Sequence, residues 1–184
     1  MKRSEQVLLL GFYHPRYLTP LRSWADRLRA VGCTVTEGYP DTWYAEDTLD
    51  ALGRRRDLVV YFGHGEPGAW TGLGRINADD VTSVEGKPHR VVVSCCCSAF
   101  EGDGDGNGSD EGKRSIATAF LDGGLAEAVV GYDGRVRYED NRAVLDHLLE
   151  AFRTAVNDGD DGAKAIRECA HQEPALNVAE QTER

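Results

Sequence analysis

Two stretches, LVVYFGHG (58–65) and RVVVSCCCSAF (90–100), decide how this chain is read. Each begins as a continuous apolar run rich in valine, the pattern of a strand covered on both faces. The first run ends in His64, set between Gly63 and Gly65. The second ends in Ser94 and three consecutive cysteines, Cys95, Cys96 and Cys97. If the two strands lie side by side and parallel, a histidine and a cysteine meet at one edge of a sheet, as a cysteine nucleophile requires. The 32 residues from His64 to Cys96 fit one crossover between adjacent parallel strands.

Working outward, strand and helix patterns alternate. Residues 6–13 form another apolar run. Leu18, Leu21, Trp24, Ala25, Leu28 and Val31 recur at spacings of three and four, which places a helix over 17–31 with Gly32 as its stop. A strand is expected over 33–39, a weaker helix over 43–56, helices over 114–124, 140–156 and 163–170, and a strand over 126–132. The glycine-rich connection 66–88, which contains RINADDV (75–81), is expected to hold a short hairpin and a helical turn. Residues 101–112 form a polar loop, and the residues from 172 onward a frayed polar tail. This order argues for an α/β fold: a three-layer α-β-α sandwich around a mainly parallel sheet, with ligands at the carboxyl ends of the strands. The expected organisation is one domain over 1–171 and a polar C-terminal tail over 172–184.

Composition narrows the function. The formal net charge is −10, from 31 acidic and 21 basic residues. That balance disfavours nucleic acid or an anionic membrane as partner. The apolar run Val7–Leu10 is too short for a signal segment or a membrane span, so a cytoplasmic protein is expected. Five cysteines, three of them contiguous, do not make a secreted disulfide framework, and reduced thiols follow. Contiguous cysteines also lack tetrahedral zinc spacing, so no metal and no cofactor are expected. Asp103–Gly108 matches the first half of a calcium-binding EF-hand loop, but Arg114 stands where the bidentate glutamate belongs. The stretch reads as a flexible acidic loop, with a weak calcium site or a processed segment as alternatives. No phosphate-cradling G-x-G-x-x-G and no C-x-x-C occur, which argues against a nucleotide or redox protein.

A thiolate attacks carbonyl carbon, and an imidazole nearby activates it and protonates the leaving group. If the second strand persists through residue 97, Cys95 and Cys97 face one way and Cys96 the other. One is then the nucleophile and the others pack as small apolar residues. GHG after one apolar strand and VVVSCCCSA after the next resemble the caspase-like (clan CD) cysteine peptidases, most closely their CHAT branch. RINADDV and SIATAFLDGGLAEAVVG (115–131) are similar to the segments that lie between and after these strands in that family. The resemblance runs from about residue 57 to 170. It implies a cysteine endopeptidase with Cys96 as nucleophile, His64 as its catalytic partner, and the N–H groups of Gly65 and Cys96 as oxyanion hole. It implies a protein or peptide substrate, and leaves room for an activator protein. Cys95 in place of a small residue, Ala99 in place of a glycine and YDGRV (132–136) in place of a Trp-Pro depart from the family pattern. They motivate an alternative, a catalytically inactive binding or signalling module. Trp70 reads as an anchor for the glycine-rich connection or as a pocket wall. His14 borders the edge, and Asp79, Asp80 and Asp133 are candidates for an acidic specificity pocket.

Overall fold

The chain begins with β1 (Gln6–Gly11), α1 (Pro15–Ala30), β2 (Thr34–Gly38), α2 (Ala45–Leu52) and β3 (Leu58–Phe62). Three two-residue strands follow, β4 (Gly65–Glu66), β5 (Ala69–Trp70) and β6 (Ile76–Asn77), and then the short helix α3 (Ala78–Thr82). The second half holds β7 (Val91–Cys95), α4 (Ile116–Asp122), β8 (Ala128–Gly131), α5 (Tyr138–Asp158), α6 (Gly162–His171) and β9 (Asn177–Glu180). This computed structural model describes residues 4–102 and 114–181; the EF-hand-like stretch Asp103–Gly108 lies outside them.

The main sheet has the order β2-β1-β3-β7-β8-β9. Its first five strands are parallel, and β9 runs antiparallel beside β8. One core lies between the sheet and α1, α5 and α6, filled by residues such as Leu21, Phe62, Cys95 and Phe152. The other lies between the sheet and α2, α3 and α4, and takes Tyr61, Trp70, Cys96 and Phe120. All five residues of β3 and of β7 are buried, which explains their unbroken apolar runs. The chain is therefore a three-layer α-β-α sandwich with a mainly parallel sheet, as its alternating pattern predicts.

β1 is followed in the sheet by β2 on one side and β3 on the other. The chain reverses its winding there, and such a switch point opens a crevice at the carboxyl ends of the strands. His14 starts α1 at that end, its Nδ1 accepting the N–H of Arg16 at 3.1 Å. The connection 63–90 contains more structure than a hairpin: β4, β5 and β6 form their own antiparallel sheet. α3 is started by a reciprocal capping box between Asn77 and Asp80. Asp80 is thereby a structural residue.

The tail corrects the sequence reading. Asn177–Glu180 is a paired edge strand, its residues matched with Gly131 to Ala128, instead of frayed chain. Its burial is partial, so alternation is too weak to announce a strand, and the partner β8 supplies the order. α2 stops at Leu52, well short of residue 56, because Gly53 caps it.

The opposite, amino-terminal edge of the sheet holds a buried histidine. His89 is fully buried, and its Nδ1 accepts the N–H of Arg56 at 3.0 Å. Burial, helped by the positive charge of Arg56, lowers its pKa from 6.5 to about 4. Folding thus favours the neutral ring. Its contribution is complete above about pH 6.5 and is lost as pH falls toward about 4. The Glu5 carboxyl, pushed up by burial and by Asp57, titrates with the opposite sign. Urea unfolding should therefore show a loss on the order of 3 kcal/mol across that window, absent from His89→Asn. An identical slope in wild type and variant refutes the assignment.

Candidate active site

The carboxyl ends of β3 and β7 are locked together. Tyr61 pairs with Ser94 and Phe62 with Cys95, and the ladder ends there, its last bond running from the Gly63 N–H to the Cys95 carbonyl at 3.2 Å. Past that point the His64 carbonyl accepts three hydrogen bonds: from the Tyr61 hydroxyl at 2.6 Å, the Thr71 hydroxyl at 3.1 Å and the Thr71 N–H at 3.2 Å. The backbone of His64 is fixed while its imidazole stays exposed. The ring packs edge-on against Phe12, with centroids 4.6 Å apart, and its Nε2 is 3.4 Å from the Tyr17 hydroxyl.

The cysteines divide between the two cores. Cys95 belongs to the core under α1 and α5, and its carbonyl accepts from Asn141 Nδ2 at 2.8 Å. Cys96 belongs to the opposite core. It is 1% exposed, and its Sγ is 3.3 Å from Ser94 Oγ. Burial pushes the Cys96 thiol up to about 12, against the smaller opposing effect of the Ser94 hydroxyl. Burial raises the Cys95 thiol further still. Cys97 is half-buried, and its sulfur meets the backbone of Val136, accepting the N–H at 3.4 Å.

Behind Cys96 lies a polar relay in an apolar setting. Trp70 donates its Nε1–H to Ser94 Oγ at 2.7 Å and stacks on Tyr61 at 4.7 Å. Trp70 is completely buried. It anchors the connection and walls no open pocket.

Gly65 and Cys96 come into close approach. A Cβ on Gly65 would lie 2.5 Å from Cys96 Sγ and 2.5 Å from the Cys97 carbonyl oxygen. His64 and Cys96 are not joined: among the described residues no hydrogen bond links the imidazole to a cysteine sulfur. His14 serves α1 as its cap. Asp79 and Asp133 are exposed, with Asp133 in the β8–α5 loop. That loop also receives the Ser98 N–H, on the Gly134 carbonyl at 2.8 Å. No group of histidine, cysteine and acidic side chains suited to hold a metal occurs among the described residues.

Sequence reasoning missed the aromatic surround of His64. Phe12 and Tyr17 pack edge-on against it, and Tyr138 packs in turn on Tyr17, with those two centroids 5.2 Å apart. Arg16 lies 3.5 Å over the Tyr138 ring. Tyr17 and Tyr138 stand in the first turns of α1 and α5, and only the sheet order brings those two helix starts together.

Several solved structures share this fold. Gingipain R (RgpB), an Arg-specific cysteine proteinase, superposes with a TM-score of 0.68 at 16% identity, over 92% of this chain and 42% of that one. A structure described as a protease matches with a TM-score of 0.65 at 13% identity, over 97% and 47%. The Saccharomyces cerevisiae separase–securin complex matches with 0.60 at 14% identity, over 98% of this chain and 12% of that one. The chain spans less than half the length of each of these proteins. The chain thus shares its fold with gingipain R, an Arg-specific cysteine proteinase, and with these other proteins. No family model matches the chain, and no curated protein matches it in sequence.

The Gly65 contact yields a stability test. A methyl group there meets sulfur and backbone at once, so Gly65→Ala should cost about 1–3 kcal/mol by overpacking. Thermal unfolding measures it, and an unchanged melting temperature contradicts the close approach.

Proposed function

We propose that this chain is a CHAT-type, caspase-like cysteine endopeptidase, a single domain over 1–171 that hydrolyses peptide bonds with a Cys–His pair. One observation carries the reading. Adjacent, in-register parallel strands end in His64 and in the cysteine turn, at the carboxyl edge of a fold shared with cysteine proteases. The thiol passes its proton to His64. Sulfur then attacks the scissile carbonyl carbon, and the developing oxyanion is held by the N–H groups of Gly65 and Cys96, each such donor being worth about 3 kcal/mol. The Cys96 N–H now rests on the Ser94 carbonyl at 3.0 Å, a tight contact that a substrate oxygen displaces. The C–N bond breaks as the imidazolium returns its proton to the amine, and water hydrolyses the thioester. The family pattern gives the sulfur to Cys96.

The substrate class is protein or peptide. Two of the similar structures are complexes, of RgpB pro- and mature domains and of separase with securin, and the partner proposed for this chain is likewise a protein, an activator. No helix among the described residues is long and apolar enough to cross a membrane, and the setting proposed is cytoplasmic.

A second reading, an inactive binding or signalling module, is favoured by one fact: the family-position thiol of Cys96 is buried and raised to about 12. The two separate by assay. Pools of internally quenched peptides should be cleaved by the wild-type chain, and His64→Ala should lower kcat/KM at least about a hundredfold with the melting temperature retained. Wild-type protein that cleaves no pool and whose three strand-end cysteines take no peptidyl electrophile is the module.

A further inference from the structure

We propose that Ser94 is a positioning residue for the Cys96 sulfur, its hydroxyl proton aimed at Sγ by the indole of Trp70. As a step of peptide hydrolysis this rests on the peptidase reading; as a property of the thiol it rests on the hydrogen bonds alone.

Ser94 stands in β7, two residues before Cys96, and is fully buried. Among the described residues its hydroxyl has two partners, Trp70 Nε1 at 2.7 Å and Cys96 Sγ at 3.3 Å. An indole N–H only donates, so the Ser94 oxygen accepts from Trp70 and its single proton is left for the sulfur. A thiolate has no proton to give. Once Cys96 ionises, the direction is therefore forced: the Ser94 O–H donates to the sulfur, and a weak bond becomes a charge-assisted one.

The ribbon after His64 meets the same sulfur a second time. Gly65 and Trp70 are cross-strand partners in β4 and β5. Gly65 lies so close to Cys96 that a Cβ there would be 2.5 Å from Sγ. One rung thus reaches the sulfur directly through the Gly65 backbone, and through Trp70 by way of Ser94. Tyr61, stacked on Trp70, donates to the carbonyl of His64, the residue before Gly65. A single buried aromatic pair therefore sets both the His64 backbone and the hydroxyl that faces the sulfur.

Burial favours the neutral Cys96 thiol, and the Ser94 hydroxyl acts against it. For a thiol that ionises well above neutral pH, the gain in thiolate outweighs the accompanying loss of nucleophilicity. In the reaction the thiol proton goes to His64, while the Ser94 proton stays on its own oxygen. The bond from Ser94 is strongest on the thiolate and slackens as the C–S bond takes up the charge. Trp70 acts through Ser94.

The test treats the full chain with limiting iodoacetamide, which forms an S–C bond and releases iodide, and reads the rate at each cysteine by mass spectrometry. Ser94→Ala should slow Cys96 at least about fivefold while Cys33 and Cys169 keep their rates. Trp70→Phe keeps an aromatic ring and removes the N–H. It should slow Cys96 less, and should add nothing once Ser94 is replaced by alanine. Loss of packing alone would open the core and speed Cys96, and the two effects would add. An undiminished Cys96 rate in Ser94→Ala, additive effects in the cycle, or a native wild-type Cys96 that takes no label overturns the assignment. If Ser94→Ala does not fold, Trp70→Phe decides: a slowed Cys96 supports the relay and an unchanged one refutes it. In peptide cleavage, Ser94→Ala should lower kcat and leave KM. Cleavage with kcat unchanged retains the peptidase and refutes Ser94. A chain that cleaves nothing, yet labels Cys96 in a Ser94-dependent way, loses the peptidase reading and keeps the positioning role.

Discussion

The parallel pairing of β3 with β7 is the constraint on which the rest depends. Phe62 opposite Cys95 sets the height of every group beyond the two strands. A slip of one residue would carry each apolar side chain to the wrong core. Because both faces are packed, with Tyr61 and Trp70 on one and Phe62 and Tyr17 on the other, such a slip meets a penalty on both sides at once. The histidine and the cysteine turn therefore inherit their placement from the core, and no direct bond between them is needed to hold it.

Around that pairing the structure divides its labour by face. The α2–α4 side is sealed: Trp70, Tyr61, Ser94 and Cys96 form a buried stack with its polar atoms engaged. The α1–α5 side is where the sheet edge opens, and there aromatic edges surround His64. Adjacent cysteines consequently experience opposite environments. Their chemistry differs through direction alone, since residue type is the same.

Much of this was legible in the sequence because its cause is local. Unbroken valine runs in β3 and β7, the three-four spacing of α1 and the alternation of elements report burial on both faces, one face and a parallel sheet. The strand β9 was not legible, since Asn-Val-Ala-Glu has no periodicity of its own and is ordered by β8. The two-residue strands after His64 are likewise too short to show a period. At the site, His64 and the cysteine turn stood out through their glycines and their strand ends. Phe12, Tyr17 and Tyr138 did not, because they come from sequence positions up to 126 residues apart and meet only in the folded chain. A motif records the order of residues along the chain, whereas the face each presents depends on where the strand ends.

The connection between the two strands has a thermodynamic consequence of its own. A glycine-rich span from residue 63 to 90 would, as free coil, lose much configurational entropy whenever a ligand held it still. Here β4, β5 and β6 hydrogen-bond to one another, α3 is capped at its start, and Trp70 is sunk into the core. That entropy is lost once, at folding, together with the rest of the domain. An occupant of the sheet edge then meets a wall already ordered, and little of its binding free energy is spent on arranging the residues that flank His64.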